Sequence, residues 1–102
     1  MPRIYLNWTP TAQSDLREIK AHIAQTAPKN ARKYVQKLRA GARRLKLFPE
    51  SGWVVEEFQN PEIREIVVGS HRIIYRFRHN VVRIITVFLG SRILRIENLE
   101  NA

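Results

Sequence analysis

The 102-residue sequence has no cysteine, one methionine, four scattered glycines and no long apolar run. Without cysteine there is no disulfide scaffold, thiol redox chemistry, Cys nucleophile or thiolate zinc site. The longest apolar stretch, 81–90, is interrupted by Arg83 and Thr86, far short of the ~20 residues of a membrane span. The opening Met-Pro-Arg-Ile-Tyr-Leu carries no long apolar core of a signal peptide, so a cytoplasmic location and no membrane partner are expected. The glycines make no phosphate-cradling loop and no G-x-S-x-G elbow, which removes nucleotide hydrolysis and serine acyl transfer. His22, His71 and His79 lack any metal-ligand spacing, so neither a metal nor a cofactor is expected.

Charge of one sign is plentiful. Eighteen Lys and Arg against nine Asp and Glu give a net +9. Residues 1–50 hold 11 basic and 3 acidic residues; residues 51–102 hold 7 and 6. All five lysines precede residue 47, and every later basic residue is arginine. Such a balance favours an anionic partner, or else a solvated helix face. The length fits one domain, 1–102, with a C-terminal tail from about 91.

Ile4, Leu6 and Trp8 alternate as a short strand. Thr9-Pro10 reads as a helix cap followed by proline at the first helical position. Ala12, Leu16, Ile19 and Ile23 form one apolar stripe, and Asp15 and Glu18 sit early in that helix, where the macrodipole favours anions. Thr26-Ala27-Pro28 repeats the device. Ala31, Tyr34/Val35, Leu38, Ala42, Leu45 and Phe48 make a second stripe, giving an antiparallel helix hairpin. Gly41 marks close contact with the first helix or carries no role.

After the breakers Pro49-Glu50-Ser51-Gly52 the period becomes two. Strands are expected at 54–58, 64–68, 72–78 and 81–89, joined at Asn60-Pro61, Gly69-Ser70 and His79-Asn80. One sheet face packs on the helices, and the other carries arginines. The expected fold is α+β: an N-terminal strand and a helix hairpin on one face of a mostly antiparallel four- to five-stranded sheet. The tail contains Ile93, Ile96 and Leu99, consistent with a helical turn or a docking strand. Trp8 and Trp53 suit core or edge packing.

Metal-free RNA cleavage needs paired acid–base groups beside a cation. Glu56 or Glu57, His71 and Tyr75 are candidates, with Arg64, Arg72 and Arg92 to neutralise phosphate. Arg72, Arg76, Arg78 and Arg83 on strands offer forks for carboxylate or phosphate, or a solvated sheet face.

The pattern Pro49…Gly52-x-x-x-Glu56-Glu57-x-x-x-Pro61-x-x-Arg64-Glu65-x-x-Val68-Gly69-x-x-Arg72-Ile73-Ile74-Tyr75-Arg76 resembles the ParE branch of the RelE/ParE toxin superfamily. So does the earlier run of Trp8-Thr9-Pro10-x-Ala12, Asp15-Leu16-x-x-Ile19, Ile23-Ala24, Pro28, Ala31 and Val35. The resemblance spans about residues 4–92. It implies the toxin of a type II toxin–antitoxin, plasmid-stabilisation module with the α+β fold above. It also implies a cognate acidic antitoxin in a toxin–antitoxin hetero-oligomer, and no sequence-specific DNA binding by the toxin itself. The antitoxin is expected in the apolar groove beside the hairpin and the sheet arginines.

The superfamily divides by mechanism. RelE-like members are ribosome-dependent mRNA endoribonucleases; ParE-like members inhibit DNA gyrase without cutting. Arg72 and Glu57 match positions found in both branches. Nucleases usually end the last strand with a proton-transferring His or Tyr, and ParE members with a His-Gly-Arg-Arg-like run. This chain has Leu89-Gly90-Ser91-Arg92, and leucine transfers no proton. The resemblance therefore implies a non-enzymatic gyrase inhibitor. Binding is expected through Arg64, Arg72, Arg76, Arg78, Arg83, Arg92 and Arg95, with Arg83, Arg92 and Arg95 of the last strand and tail contacting the target. The alternatives are a nuclease using Glu57, His71, Arg72 and Tyr75, or a non-toxic co-repressor that binds the antitoxin.

Overall fold

In the computed structural model, residues 2–91 are described; Arg92, Arg95 and the rest of the tail lie outside them. The elements run β1 (Tyr5–Trp8), α1 (Pro10–Ala24), α2 (Pro28–Arg43), β2 (Trp53–Val54), β3 (Ile63–Val68), β4 (His71–Arg78) and β5 (Val81–Leu89). The five strands form one sheet in the order β1-β5-β4-β3-β2. Only the β1–β5 pairing is parallel. The helix hairpin covers one face, and the architecture is the α+β one expected from the sequence.

Local chemistry explains most boundaries. Thr9 caps α1, its hydroxyl accepting from the Ala12 N–H at 3.1 Å, and Pro10 follows it. The α2 start differs from expectation: Ala27, not Thr26, is the cap residue, and no side chain bonds there, although Pro28 does open the helix. Ala12 and Leu16 on α1 face Ala31, Val35, Leu38 and Ala42 on α2, all buried. These alanines let the helices approach closely. The second stripe stops short of Phe48. A tighter 3-10 turn at Arg44–Lys46 follows α2 and shifts the phase, so Leu45 is buried while Phe48 is exposed. Gly41 does not meet α1. A Cβ there would lie 2.6 Å from Cγ2 of Val68, so Gly41 is where α2 touches β3.

The expected strand at 54–58 is largely absent. β2 spans two residues, and Glu56–Phe58 form a 3-10 turn ending at Gln59 with φ of 49°. This turn drops Val55 onto the outer sheet face, where it joins buried Ile74 and Ile85 as a second small core. The main core lies between helices and sheet and includes Leu16, Leu38, Leu45, Ile73, Tyr75, Val82 and Ile84. At the β4–β5 turn, His79 and Asn80 both have positive φ, the primed geometry that matches strand twist.

Two polar constructions hold these layers in register. The first is a bulge in β5. Ile74 pairs with Thr86 but Tyr75 with Ile84, so Ile85 is an extra residue. The backbone groups near it bond to α1 and its cap. The Thr9 hydroxyl donates to the Ile85 carbonyl at 2.9 Å. The Thr86 hydroxyl (2.5 Å) and the Val87 N–H (3.0 Å) both donate to Oδ2 of Asp15. Asp15 is therefore a tie to the sheet; the first turn of α1 contains no acidic residue.

The second construction is a clasp on the 49–52 loop. The Tyr75 hydroxyl donates to the Pro49 carbonyl at 2.8 Å and accepts from the Gly52 N–H at 3.0 Å. Arg64 donates to the carbonyls of Glu50 (3.1 Å) and Gly52 (3.0 Å). A Cβ on Gly52 would lie 2.6 Å from both the Glu65 carbonyl oxygen and the Tyr75 hydroxyl, so the loop requires glycine here.

Asp15→Ala leaves the Thr86 hydroxyl and the Val87 N–H without their acceptor. A loss of about 2 kcal/mol is expected. Urea unfolding should show a lower midpoint at unchanged slope.

Burial raises the Tyr75 pKa above its ordinary value of 10.0, against smaller lowering effects from the Gly52 hydrogen bond and the Arg64 charge. A raised folded-state pKa contributes stability that is whole below about pH 10 and is lost as pH rises through the folded-state value. Tyr75→Phe should destabilise the fold by about 1–3 kcal/mol at neutral pH. It should also flatten the decline in urea midpoint above pH ~10.

Candidate functional site

The sheet sorts the candidate residues onto two faces. Alternation along β4 sends His71, Ile73, Tyr75 and Phe77 toward the helices and Arg72, Ile74, Arg76 and Arg78 outward. Glu57 lies on the outer-face turn with Arg72, while His71 and Tyr75 lie on the helix side. The four residues of a nuclease set therefore do not converge.

Each has a local partner. Tyr75 is fully buried, its hydroxyl engaged in the clasp. Nδ1 of His71 is 2.6 Å from the Tyr34 hydroxyl, which also accepts from the Ser70 N–H at 3.0 Å. Tyr34 thereby anchors the β3–β4 turn to α2, and it closes over Gly69, whose φ is +60°. His71 also borders a cleft of about 360 Å³ between α1 and the ends of β4 and β5. Asp15, Glu18 and His22 line the α1 side of that cleft, with apolar Ile19, Ile23, Val87 and Leu89.

On the outer face the arginines meet carboxylates. Arg72 Nε donates to Oε2 of Glu65 at 2.7 Å, and its Nη2 contacts the same oxygen. Glu57 stands 3.9 Å away, and the guanidinium lies 5.0 Å from the Phe88 ring centroid. Arg76 and Arg78 share Glu62, at 3.3 and 3.9 Å. Arg76 Nε is buried without a hydrogen-bond partner among the described residues. Arg83 is exposed and lies directly across from Arg76 in the ladder, with no ion-pair partner among the described residues. Arg64 belongs to the clasp and also pairs with the Glu50 carboxylate at 3.7 Å. Arg92 and Arg95 lie outside the described residues.

Three carboxylates thus face four guanidiniums on this surface. Sequence reasoning picked out the arginines and missed Glu62 and Glu65 as their partners. The signal was present: a two-residue turn at Gly69-Ser70 fixes Val68 opposite His71, which sets Val67 opposite Arg72 and Ile63 opposite Arg76. Glu65 is then the diagonal neighbour of Arg72, and Glu62 lies beside Arg76. Among the described residues no group of three or more His, Asp or Glu is placed to hold a metal ion.

The comparisons with known proteins agree with this architecture. A chain of the chromosomal ParDE toxin–antitoxin system from P. aeruginosa superposes with a TM-score of 0.74 at 21% identity, over 85% of this chain and 96% of that one. A chain of the RelBE2 toxin–antitoxin complex from Mycobacterium tuberculosis gives a TM-score of 0.64 at 20% identity, over 86% and 99%. At these identities the likeness is one of fold. No curated protein matches the sequence. The sequence does match, over residues 6–94, the family described as the ParE toxin of the parDE type II toxin–antitoxin system, and the chain belongs to that family.

Proposed function

We propose that this type II toxin acts by binding and arresting DNA gyrase, without cutting nucleic acid, and that an acidic antitoxin silences it in the cytoplasm. One observation carries the reading: the candidate acid–base groups are split between two faces of the sheet and held in internal bonds. General acid–base catalysis needs a donor and an acceptor within reach of one substrate. Tyr75 is enclosed, His71 is turned toward Tyr34, and Leu89 occupies the end of β5. A module for plasmid stabilisation fits the same reading.

The antitoxin assignment rests on two features. A net charge of +9 speeds encounter with an acidic chain. The cleft between α1 and the end of β5 offers Ile19, Ile23, Val87 and Leu89 as a seat for apolar anchors.

A ribonuclease reading has one feature in its favour, the shared face of Arg72 and Glu57. Yet Glu65 already neutralises Arg72, which weakens its hold on a phosphate.

The purified toxin should inhibit supercoiling by gyrase near equimolar ratio, and added antitoxin should restore it. Full supercoiling at a large stoichiometric excess of toxin overturns the proposal. Primer extension on translated messages should show no new cuts after induction. Discrete cuts that vanish in Arg72→Ala would transfer the assignment to the nuclease.

A further inference from the structure

The helix hairpin concentrates charge that neither the sheet arginines nor the proposed antitoxin cleft uses. Residues 10–46 contain ten Lys and Arg and two carboxylates, Asp15 and Glu18. Both carboxylates line the cleft on the β5 side of α1. On another side of α1 a groove of about 520 Å³ runs between the two helices. Its walls carry Arg17 and Lys20 from α1 and Arg32 and Arg39 from α2, and among the described residues no carboxylate lines it. The ion pairs among the described residues involve only Arg64, Arg72, Arg76 and Arg78. The groove cations thus have no ion-pair partner among the described residues, and Arg39 rests 5.4 Å over the Trp8 ring.

We propose that this groove docks the phosphate backbone of double-stranded DNA, without reading base sequence. Four like charges held on two packed helices match a regularly spaced, rigid polyanion. Arg32 and Arg39 lie seven residues apart on α2, about 10 Å along the axis. An acidic protein segment fits less well. Such interfaces rely on exposed apolar or aromatic anchors. Here the apolar floor is shielded, with Leu16 at 2% and Val35 at 9% exposure. The exposed large apolar residues, such as Tyr5, Phe48, Trp53 and Val67, lie elsewhere. A single strand fits less well too, because no aromatic ring lines the groove to stack bases. The surface is separate from the outer sheet face, and its DNA affinity does not depend on gyrase being the target.

The test is fluorescence anisotropy of the full chain with a labelled mixed-sequence DNA duplex of about 20 base pairs, between ~50 and ~200 mM salt. The expected result is binding whose logarithm falls with log salt at a slope near −3.6, that is ~0.9 for each of four phosphate contacts, and which is indifferent to sequence. Arg17→Gln/Lys20→Gln/Arg32→Gln should reduce affinity at low salt at least ~10-fold and flatten the slope by about 2.7. Lys20→Gln alone should flatten it by ~0.9. A charge-matched Arg3→Gln/Arg44→Gln/Lys46→Gln variant, outside the groove, should retain the slope. No binding at low salt, equal losses in both triple variants, or tighter binding of a poly-glutamate peptide or a single strand would each overturn the proposal. Because gyrase is absent from the assay, its outcome is independent of the supercoiling result.

Discussion

The hydroxyl of Tyr75 is the point on which the two layers depend. It sits inside the core, where an unpaired polar group costs about 1–3 kcal/mol, and it serves as both donor and acceptor. Its partners are backbone groups of the loop that carries the chain from helices back to sheet. Arg64 holds the same loop from β3 through two more carbonyls. The requirement for glycine at position 52 follows directly, since any side chain would displace that phenol. This arrangement also settles what Tyr75 has available for chemistry: both hydrogen-bonding roles of its hydroxyl are already filled.

The outer sheet face follows similar logic. An arginine on a strand looks like an invitation to an anion when β4 is read alone. In the folded sheet the neighbouring strand and turn supply Glu62, Glu65 and Glu57, so most of that charge is answered internally. Arg83 on β5 and the cations of the two helices have no ion-pair partner among the described residues. Net charge points to an anionic partner, and the pairing of strands shows which of the sheet arginines are already matched by carboxylates.

Much of the fold was legible in the sequence. Thr9-Pro10 and Pro28 mark helix starts, 3.6-residue stripes give Leu16 and Leu38 their faces, and Gly69-Ser70 and His79-Asn80 place the hairpins. What was missed depends on contacts distant in sequence. Val54-Val55 alternates well enough for a strand, but the left-handed Gln59 and the pull of Ile74 and Ile85 bend it into a turn. Phe48 continued the helical stripe only on the assumption of an unbroken α-helix. Asp15 sits where the helix dipole alone would favour an anion, and the Thr86 hydroxyl it holds beside the β5 bulge lies 71 residues away in sequence. At the candidate site, residue types were legible and their faces partly so. Their engagement with Tyr34, Pro49 and Glu65 was not.

The position of β5 has a consequence for how the protein comes into being. It is the last strand among the described residues, yet it lies between β1 and β4, and its bulge receives both Thr9 and Asp15. The amino-terminal strand therefore has no pairing partner until β5 has been made, whereas α1 can already pack against α2. Contacts of such long sequence separation form late and slowly. Closure of the sheet across β1 and β5 is accordingly expected to be a late step in folding this chain.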